Sequence, residues 1–357
     1  MGDVRFATVG TSEICRRFCD ALAHVRGARL VACCSRDARR AREFGGPLGA
    51  REFVTSLDGL CALGDVDAVY LATPNALHFP QAMRLVDAGL SVLVEKPLCA
   101  NAAQARALLA NAERHGVVVM EAMRNLHVPA FPAIREAVGE LGSVRQATLR
   151  FSKVTSRMAR LMAGERIAVF APRMAGGALM DLGVYCVEPA VALFGRPRDV
   201  RALGVLSRVP GAAPDDPYAT VDLAGEVLLG YGDKVVGLSF GKCDDGLCPC
   251  EVAGERATLL WDNVSCPVGL RVHEHEDHGM VFRMEGESET RPLGVGAPEL
   301  DMACEARHFS AAVAGDAAAR ELVRGMGEVS VASLEVMDEA RAQMGVRFPA
   351  DDEPPAA

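Results

Sequence analysis

Residues 4–15 read VRFATVGTSEIC. A short strand-like run from Phe6 to Val9 ends at Gly10, and the chain then takes up helical spacing, with Ile14, Phe18, Ala21, Leu22 and Val25 on one stripe and Gly27 as a stop. A strand turning into a helix at a glycine aims backbone N–H groups and the positive end of the helix dipole at one point, which suits a pyrophosphate. The usual pattern there is G-x-G-x-x-G; this chain has Gly10, then Ser12 and Cys15 in the second and third places. One glycine of three also fits an ordinary strand and helix. Position at the end of the first strand favours the binding reading, with Gly10, Thr11, Ser12 and Ile14 as candidate dinucleotide contacts.

Outward from that turn, short apolar runs alternate with helix-period segments as far as Met120. Strands are expected at Phe6 to Val9, Leu30 to Cys34, Ala68 to Ala72, Val92 to Val94 and Val117 to Met120, with a weaker one near Phe53. Between the last two full strands, Asn101 can cap a helix, Gln104 follows three residues on, and Gly116 closes it. Repeated strand and helix units of this kind predict a doubly wound parallel sheet, a Rossmann domain over residues 1–121.

The pattern then changes. Strand-like runs at Val144 to Phe151, Val200 to Leu206, Thr220 to Leu229, Val235 to Phe240, Thr258 to Trp261, Gly269 to His273 and Met280 to Met284 are separated by Gly, Pro and Asp. They predict an α+β domain over 122–350 with a large, mostly antiparallel sheet, closed by a helical stretch from Glu299 to Met344. Residues 351–357 read as a disordered tail. The fold class is thus α/β with an α+β second domain.

The chain has 357 residues, enough for two domains, and half of them are hydrophobic with 24% charged, the balance of a globular protein. A net charge of -9 argues against nucleic acid and anionic membrane surfaces as partners. No stretch approaches 18 consecutive apolar residues, and Met1 to Gly10 carries no leader pattern, so a cytoplasmic protein is expected. Twelve cysteines, several inside apolar runs, read as buried free thiols. Cys243, Cys248, Cys250 and Cys266, and the group His273, His275 and His278, lack the spacing of a zinc site, so no metal is expected.

At the end of the second strand, an acidic residue would take the ribose 2'-hydroxyl of NAD. Ser35 and Arg36 stand there, followed by Arg39 and Arg40. A hydroxyl beside a guanidinium suits a 2'-phosphate, so NADP is favoured over NAD. The same residues also read as a solvated helix start capped by Asp37.

After the fifth strand comes Glu95-Lys96-Pro97. Together with Ala72-Thr73-Pro74-Asn75 and His78, Met120-Glu121-Ala122-Met123, and the run Gly176 to Tyr185 (GGALMDLGVY), it resembles the Gfo/Idh/MocA oxidoreductase family, in the dihydrodiol dehydrogenase and glucose-fructose oxidoreductase style. The resemblance implies hydride transfer between NADP and a sugar, a polyol or a cyclic diol, with the substrate between the domains and a homodimer or homotetramer formed through the second sheet. It implies that Thr73, Pro74, Asn75, His78, Glu95 and Lys96 lie at the cofactor, and that Pro97 follows a cis peptide. The superfamily also contains non-catalytic NADP-binding sensors and NAD-dependent glycosidases.

Reducing a carbonyl needs a proton donor. Asp181 and Tyr185 are spaced i, i+4, on one face of a helix. A lysine near the phenol would lower its pKa from about 10 by roughly 1 to 3 units. Tyr185 is therefore the expected general acid/base, Lys96 its electrostatic partner and Asp181 the orienting group; an ordinary polar helix face reads the same way. Arg124, Asn125, Leu126 and His127 stand where diol dehydrogenases tend to carry aromatic residues, which favours a polar or anionic ligand; Arg124, His127, Arg157 and Arg173 are candidates to face it, and each also reads as an ordinary surface residue.

Overall fold

The computed structural model describes residues 2–275, 290–353 and 355; the expected strand Met280 to Met284 and His278 lie outside the described residues. The first sheet contains β1 (Val4–Val9), β2 (Ala28–Cys34), β3 (Glu52–Val54), β4 (Ala68–Leu71), β5 (Ser91–Glu95) and β6 (Val119–Ala122). Its order is β3-β2-β1-β4-β5-β6 and every pairing is parallel. Helices cover both faces, which is why β4 and β5 are buried along their whole length and why β4 and the Val92–Val94 centre of β5 read as unbroken apolar runs. The order reverses beside β1, and the crevice at the carboxyl ends of β1 and β4 is where such sheets take ligands.

Helix Ala102–His115 follows its sequence signals: Asn101 accepts from the Gln104 N–H at 3.0 Å, and Gly116 ends the helix at φ 67°.

The second sheet contains β7 (Gln146–Ser152), β8 (Asp199–Arg208), β9 (Thr220–Gly230), β10 (Val235–Gly241), β11 (Cys250–Ala253), β12 (Ala257–Asp262), β13 (Val268–Glu274) and β14 (Thr290–Pro292). Its order is β14-β13-β12-β11-β7-β10-β9-β8, antiparallel except for the parallel pair of β7 and β10. Two strands escaped the sequence reading: β11 and β14 span four and three residues, too few for alternation to show. Helices Val184–Phe194 and Ala317–Met344 lie on one face of this sheet. The other face is open and carries Leu203, 81% exposed, with Val205, Leu228 and Val235.

The expected single stretch Glu299 to Met344 is two helices, Asp301–Val313 and Ala317–Met344. Gly315 turns the chain at φ 95°, and Asp316 starts the second helix by accepting from the Ala319 N–H at 2.8 Å. The first of the pair returns to the Rossmann domain and packs on helix Glu13–Leu22, with Phe309 5.9 Å from Phe6. Residues 351 and 352, expected in the disordered tail, are corrected to part of a turn. Pro349–Asp352 is a helical turn, because the buried Arg341 takes Asp351 at 2.7 Å and that carboxylate also accepts from the Phe348 N–H. All twelve cysteines are free thiols. The segment Pro172–Phe194 has a mean hydropathy of 1.4 over an 18-residue window, and 72% of that window is buried inside the fold.

Candidate active site

The carboxyl ends of β1, β2, β4 and β5 bring Gly10 to Ser12, Ser35 and Arg36, Thr73 to Asn75, and Lys96 to one rim. Gly10 has φ 121°, and a Cβ there would meet the Ala72 carbonyl oxygen at 2.8 Å and Cys15 Sγ at 3.1 Å. Glycine is required at that turn for both conformation and space. The missing fingerprint glycines are replaced by a contact: Ser12 Oγ and Cys15 Sγ lie 3.3 Å apart at the start of the first helix. Arg36 is exposed, and Asp37 caps the following helix by accepting from the N–H groups of Arg39 and Arg40. Capping by Asp37 therefore leaves the Arg36 guanidinium free of described partners.

The other expected rim residues divide by what their side chains touch. His78 is fully buried, its ring nitrogens 2.9 Å from the carbonyl oxygens of Pro97 and Thr73, so it ties two rim loops together. Thr73 donates to Gln81 at 2.7 Å, and Asn75 donates to the Ala175 carbonyl at 2.8 Å, which joins the rim to the second domain. Pro74 is exposed and Ile14 half-buried. Glu95 turns inward, accepting from the Tyr70 hydroxyl and from the Lys96 N–H at 3.2 Å; burial pushes its pKa up. The Lys96-Pro97 bond is cis.

Lys96 reaches across to the second domain. Its Nζ donates to the carbonyl oxygen and to Oδ1 of Asp181, both at 2.7 Å, and lies 5.0 Å from the centre of the Tyr185 ring. The three expected catalytic residues are thus together. They are not on one regular helix face, however: Leu179–Gly183 is a π-helical turn running into Val184–Phe194, and Lys96 rather than helical stacking links Asp181 to Tyr185. The turn is built by its glycines and by Asp222. The Leu179 N–H donates to buried Asp222 at 2.6 Å, a Cβ at Gly177 would collide with that carboxylate, and one at Gly176 would lie 2.6 Å from the Ala168 carbonyl oxygen.

Lys242, at the end of β10, was not singled out by sequence because a lone lysine after an apolar strand carries no spacing signal. Its side chain is 3% exposed and pairs with Oδ2 of Asp181. Burial opposes ionisation of Asp181, yet Lys96 and then Lys242 hold its carboxyl well below the usual range. Burial likewise works against the charge of Lys96, but Asp181 and Tyr185 hold its pKa above the ordinary value. Lys242 goes the other way: burial lowers it more than Asp181 raises it.

Tyr185 is 7% exposed and packs edge-on against Phe151, ring centroids 5.5 Å apart. Burial raises its pKa, and the opposing pull of Lys96 and Arg124 does not reverse that. The expected lowering is thus corrected, because the cost of a buried phenolate exceeds what two cations at ring-face distance return.

Of the four residues expected to face a polar ligand, His127 does not: it is buried with Nδ1 3.0 Å from that of His308, and burial pushes its pKa down to about 3. Arg173 is held at the surface by Asp216 at 3.0 Å and by the Tyr218 ring. Arg124 pairs with Asp301 at 3.1 Å while its guanidinium carbon lies 5.5 Å from the Tyr185 ring centre. Arg157 is exposed and close enough to lower the pKa of Lys242. Asn125 is buried and donates to the Val264 carbonyl at 3.0 Å. Among the described residues no group of three His, Cys, Asp or Glu is arranged to hold a metal ion.

Two family models cover most of this architecture. Residues 4–123 match an oxidoreductase family with an NAD-binding Rossmann fold, and residues 133–260 match the Gfo/Idh/MocA C-terminal domain. The chain is 33% identical over 351 residues to scyllo-inositol 2-dehydrogenase (NADP(+)) IolU of Bacillus subtilis, covering 98% of this chain and 99% of that protein. It is 30% identical over 338 residues to trans-1,2-dihydrobenzene-1,2-diol dehydrogenase of Oryctolagus cuniculus, covering 90% and 92%. Among solved structures it is similar to KijD10, a 3-ketoreductase from Actinomadura kijaniata in complex with NADP, with a TM-score of 0.75 and 26% identity over 98% of this chain and 100% of that one. Rossmann sheet, second-domain sheet and these full-length matches agree, and the chain belongs to the Gfo/Idh/MocA oxidoreductase family.

Proposed function

We propose that this protein is an NADP-dependent dehydrogenase or reductase acting on a CH–OH group or carbonyl of a sugar, a polyol or a cyclic diol. The observation that carries the reading is the convergence of Lys96, Asp181 and Tyr185 beside the carboxyl ends of the Rossmann strands. The cofactor fits the chain's own residues: Gly10 leaves the backbone bare where a Cβ would strike Ala72, and the Arg36 guanidinium beside Ser35 is available to a 2'-phosphate. NADP, when bound, supplies or accepts the hydride.

Tyr185 is the proton donor in reduction and the acceptor in oxidation. Its raised pKa keeps the phenol protonated at neutral pH, the form that reduction consumes. Lys96 spends two of its three N–H groups on Asp181, and the third is left for the oxygen that gains negative charge. Asp181 keeps Lys96 charged and aimed. The relatives named as an NADP(+) inositol dehydrogenase, a dihydrodiol dehydrogenase and a 3-ketoreductase support a ring-borne hydroxyl or ketone as the reacting group. The open sheet face with Leu203, Val205, Leu228 and Val235 supports a homodimer or homotetramer built on that sheet.

The test is fluorescence titration with NADPH and NADH, followed by a screen of cyclic polyols, dihydrodiols and keto sugars in both directions. Tighter NADPH binding with turnover on the panel is expected. Binding without turnover on any member would instead indicate a sensor.

A further inference from the structure

Only four of the chain's 38 basic residues are lysines: Lys96, Lys153, Lys234 and Lys242. Two of those four meet on a single carboxylate. Lys96 takes Oδ1 of Asp181 and Lys242 takes Oδ2, one from the end of β5 and the other from the end of β10. In a chain that uses arginine almost everywhere else, this placement calls for compact ammonium groups. An ammonium offers three tetrahedral donors from one point, whereas a guanidinium would occupy both carboxylate oxygens in one plane and crowd out a second cation.

The consequence is geometric. With both oxygens engaged, the Asp181 carboxylate cannot rotate, and Lys96 is limited to Oδ1 and the Asp181 carbonyl oxygen, each at 2.7 Å. Remove Lys242 and the carboxylate can turn both oxygens onto Lys96, drawing in the N–H that otherwise faces the reacting atom. The rest of the Lys242 environment fits a fixed strut: its Nζ lies 5.5 Å from the centre of the buried Phe170 ring. The charged groups facing it are Asp181 on the π-helical turn, Lys96 from the first domain and Arg157 ahead of helix Met158–Met162.

We propose that Lys242 is a positioning residue for proton and hydride transfer at this site, pinning Oδ2 of Asp181 so that Lys96 keeps one N–H for the reacting oxygen. This rests on the function proposed above.

The small number of lysines makes the test direct. Protein labelled with 15N at lysine Nζ should give four side-chain ammonium signals, assigned by single Lys→Met variants. Lys242→Met is expected to shift the Lys96 signal and leave those of Lys153 and Lys234 in place. The same variant should bind NADPH as the wild type does. In oxidation of scyllo-inositol with NADP+, or of the best substrate from the screen, it should lose about 10- to 100-fold in kcat, the scale of a misplaced catalytic group, with little change in KM.

Its pH–rate profile for oxidation should move to higher pH, since Asp181 then opposes the Tyr185 phenolate with one cation fewer. Lys242→Arg should keep the wild-type pH profile while recovering only part of kcat. An unmoved Lys96 signal in Lys242→Met, or wild-type kcat and pH dependence, overturns the proposal. Absence of turnover by the wild type across the panel would overturn the proposed function alone, and the Lys96 signal would still decide whether Lys242 sets its position.

Discussion

Lys96 Nζ lies 2.7 Å from Oδ1 of Asp181 and 5.0 Å from the centre of the Tyr185 ring, so one ammonium from the Rossmann domain addresses both functional groups of the second. Its charge is the chief force opposing the upward push of burial on the Tyr185 phenol. Lys96→Met should therefore raise the Tyr185 pKa further. A positioned acid or base contributes typically about 10²- to 10⁴-fold, and the variant should lose on that order in kcat for alcohol oxidation at neutral pH. Oxidation needs the phenolate and should rise with pH towards the Tyr185 pKa, above the ordinary value of about 10, while reduction needs the phenol and should stay flat through neutral pH. Initial rates in both directions between about pH 6 and 10 check this; a profile for oxidation that falls with rising pH would contradict it.

Arg36 is exposed beside Ser35, with Asp37 already committed to capping the next helix. A charge-assisted hydrogen bond contributes about 1.5 to 3 kcal/mol. Arg36→Ala should weaken NADPH binding by roughly 10- to 100-fold and leave NADH binding nearly unchanged. Parallel fluorescence titrations decide it, and an equal loss for both cofactors would remove Arg36 from 2'-phosphate recognition.

His127 makes a prediction about acid stability. Its folded pKa of about 3 is below the ordinary 6.5, so the folded state holds a neutral ring and the unfolded chain binds the proton first. The stability this group contributes is present above about pH 6.5 and is lost as pH falls from there towards the folded value, at about 1.4 kcal/mol per pH unit. Urea midpoints at pH 7 and pH 4.5 should show a smaller acid loss in His127→Gln than in the wild type. Equal losses would mean that the ring is charged or solvated in the folded protein.

The open face of the second sheet sets a fourth expectation. Leu203 and Val205 stand exposed on β8, with Leu228 beside them on β9. If copies associate there, Leu203→Glu combined with Val205→Glu should convert the assembly to monomer in sedimentation velocity while NADPH binding persists. An unchanged sedimentation coefficient would place any interface elsewhere.

Much of this was legible in the sequence, for identifiable reasons. Buried parallel strands such as β4 and the Val92–Val94 centre of β5 are apolar without interruption, and capped helices such as Ala102–His115 carry their own start and stop residues, so both stood out. The convergence of Lys96 with Asp181 and Tyr185 could be anticipated only from motif order, since no local spacing connects residues 96 and 181. Lys242 stayed hidden because its partner lies 61 positions away and its own neighbourhood is an ordinary strand end. His127 was misjudged for the converse reason: a histidine beside Arg124 looks like a ligand-facing residue until His308, far along the chain, is seen to cover it. The helix break at Gly315 and Asp316 was written locally, but inside a run otherwise strong in helix formers.

The most direct measurement is NADPH production from a cyclic polyol by wild type and Tyr185→Phe, with NADPH affinity determined on the same preparations. The proton-transfer account predicts wild-type turnover, a loss of at least about 10²-fold in kcat for the variant and equal NADPH affinity for both. Equal turnover by Tyr185→Phe would contradict it.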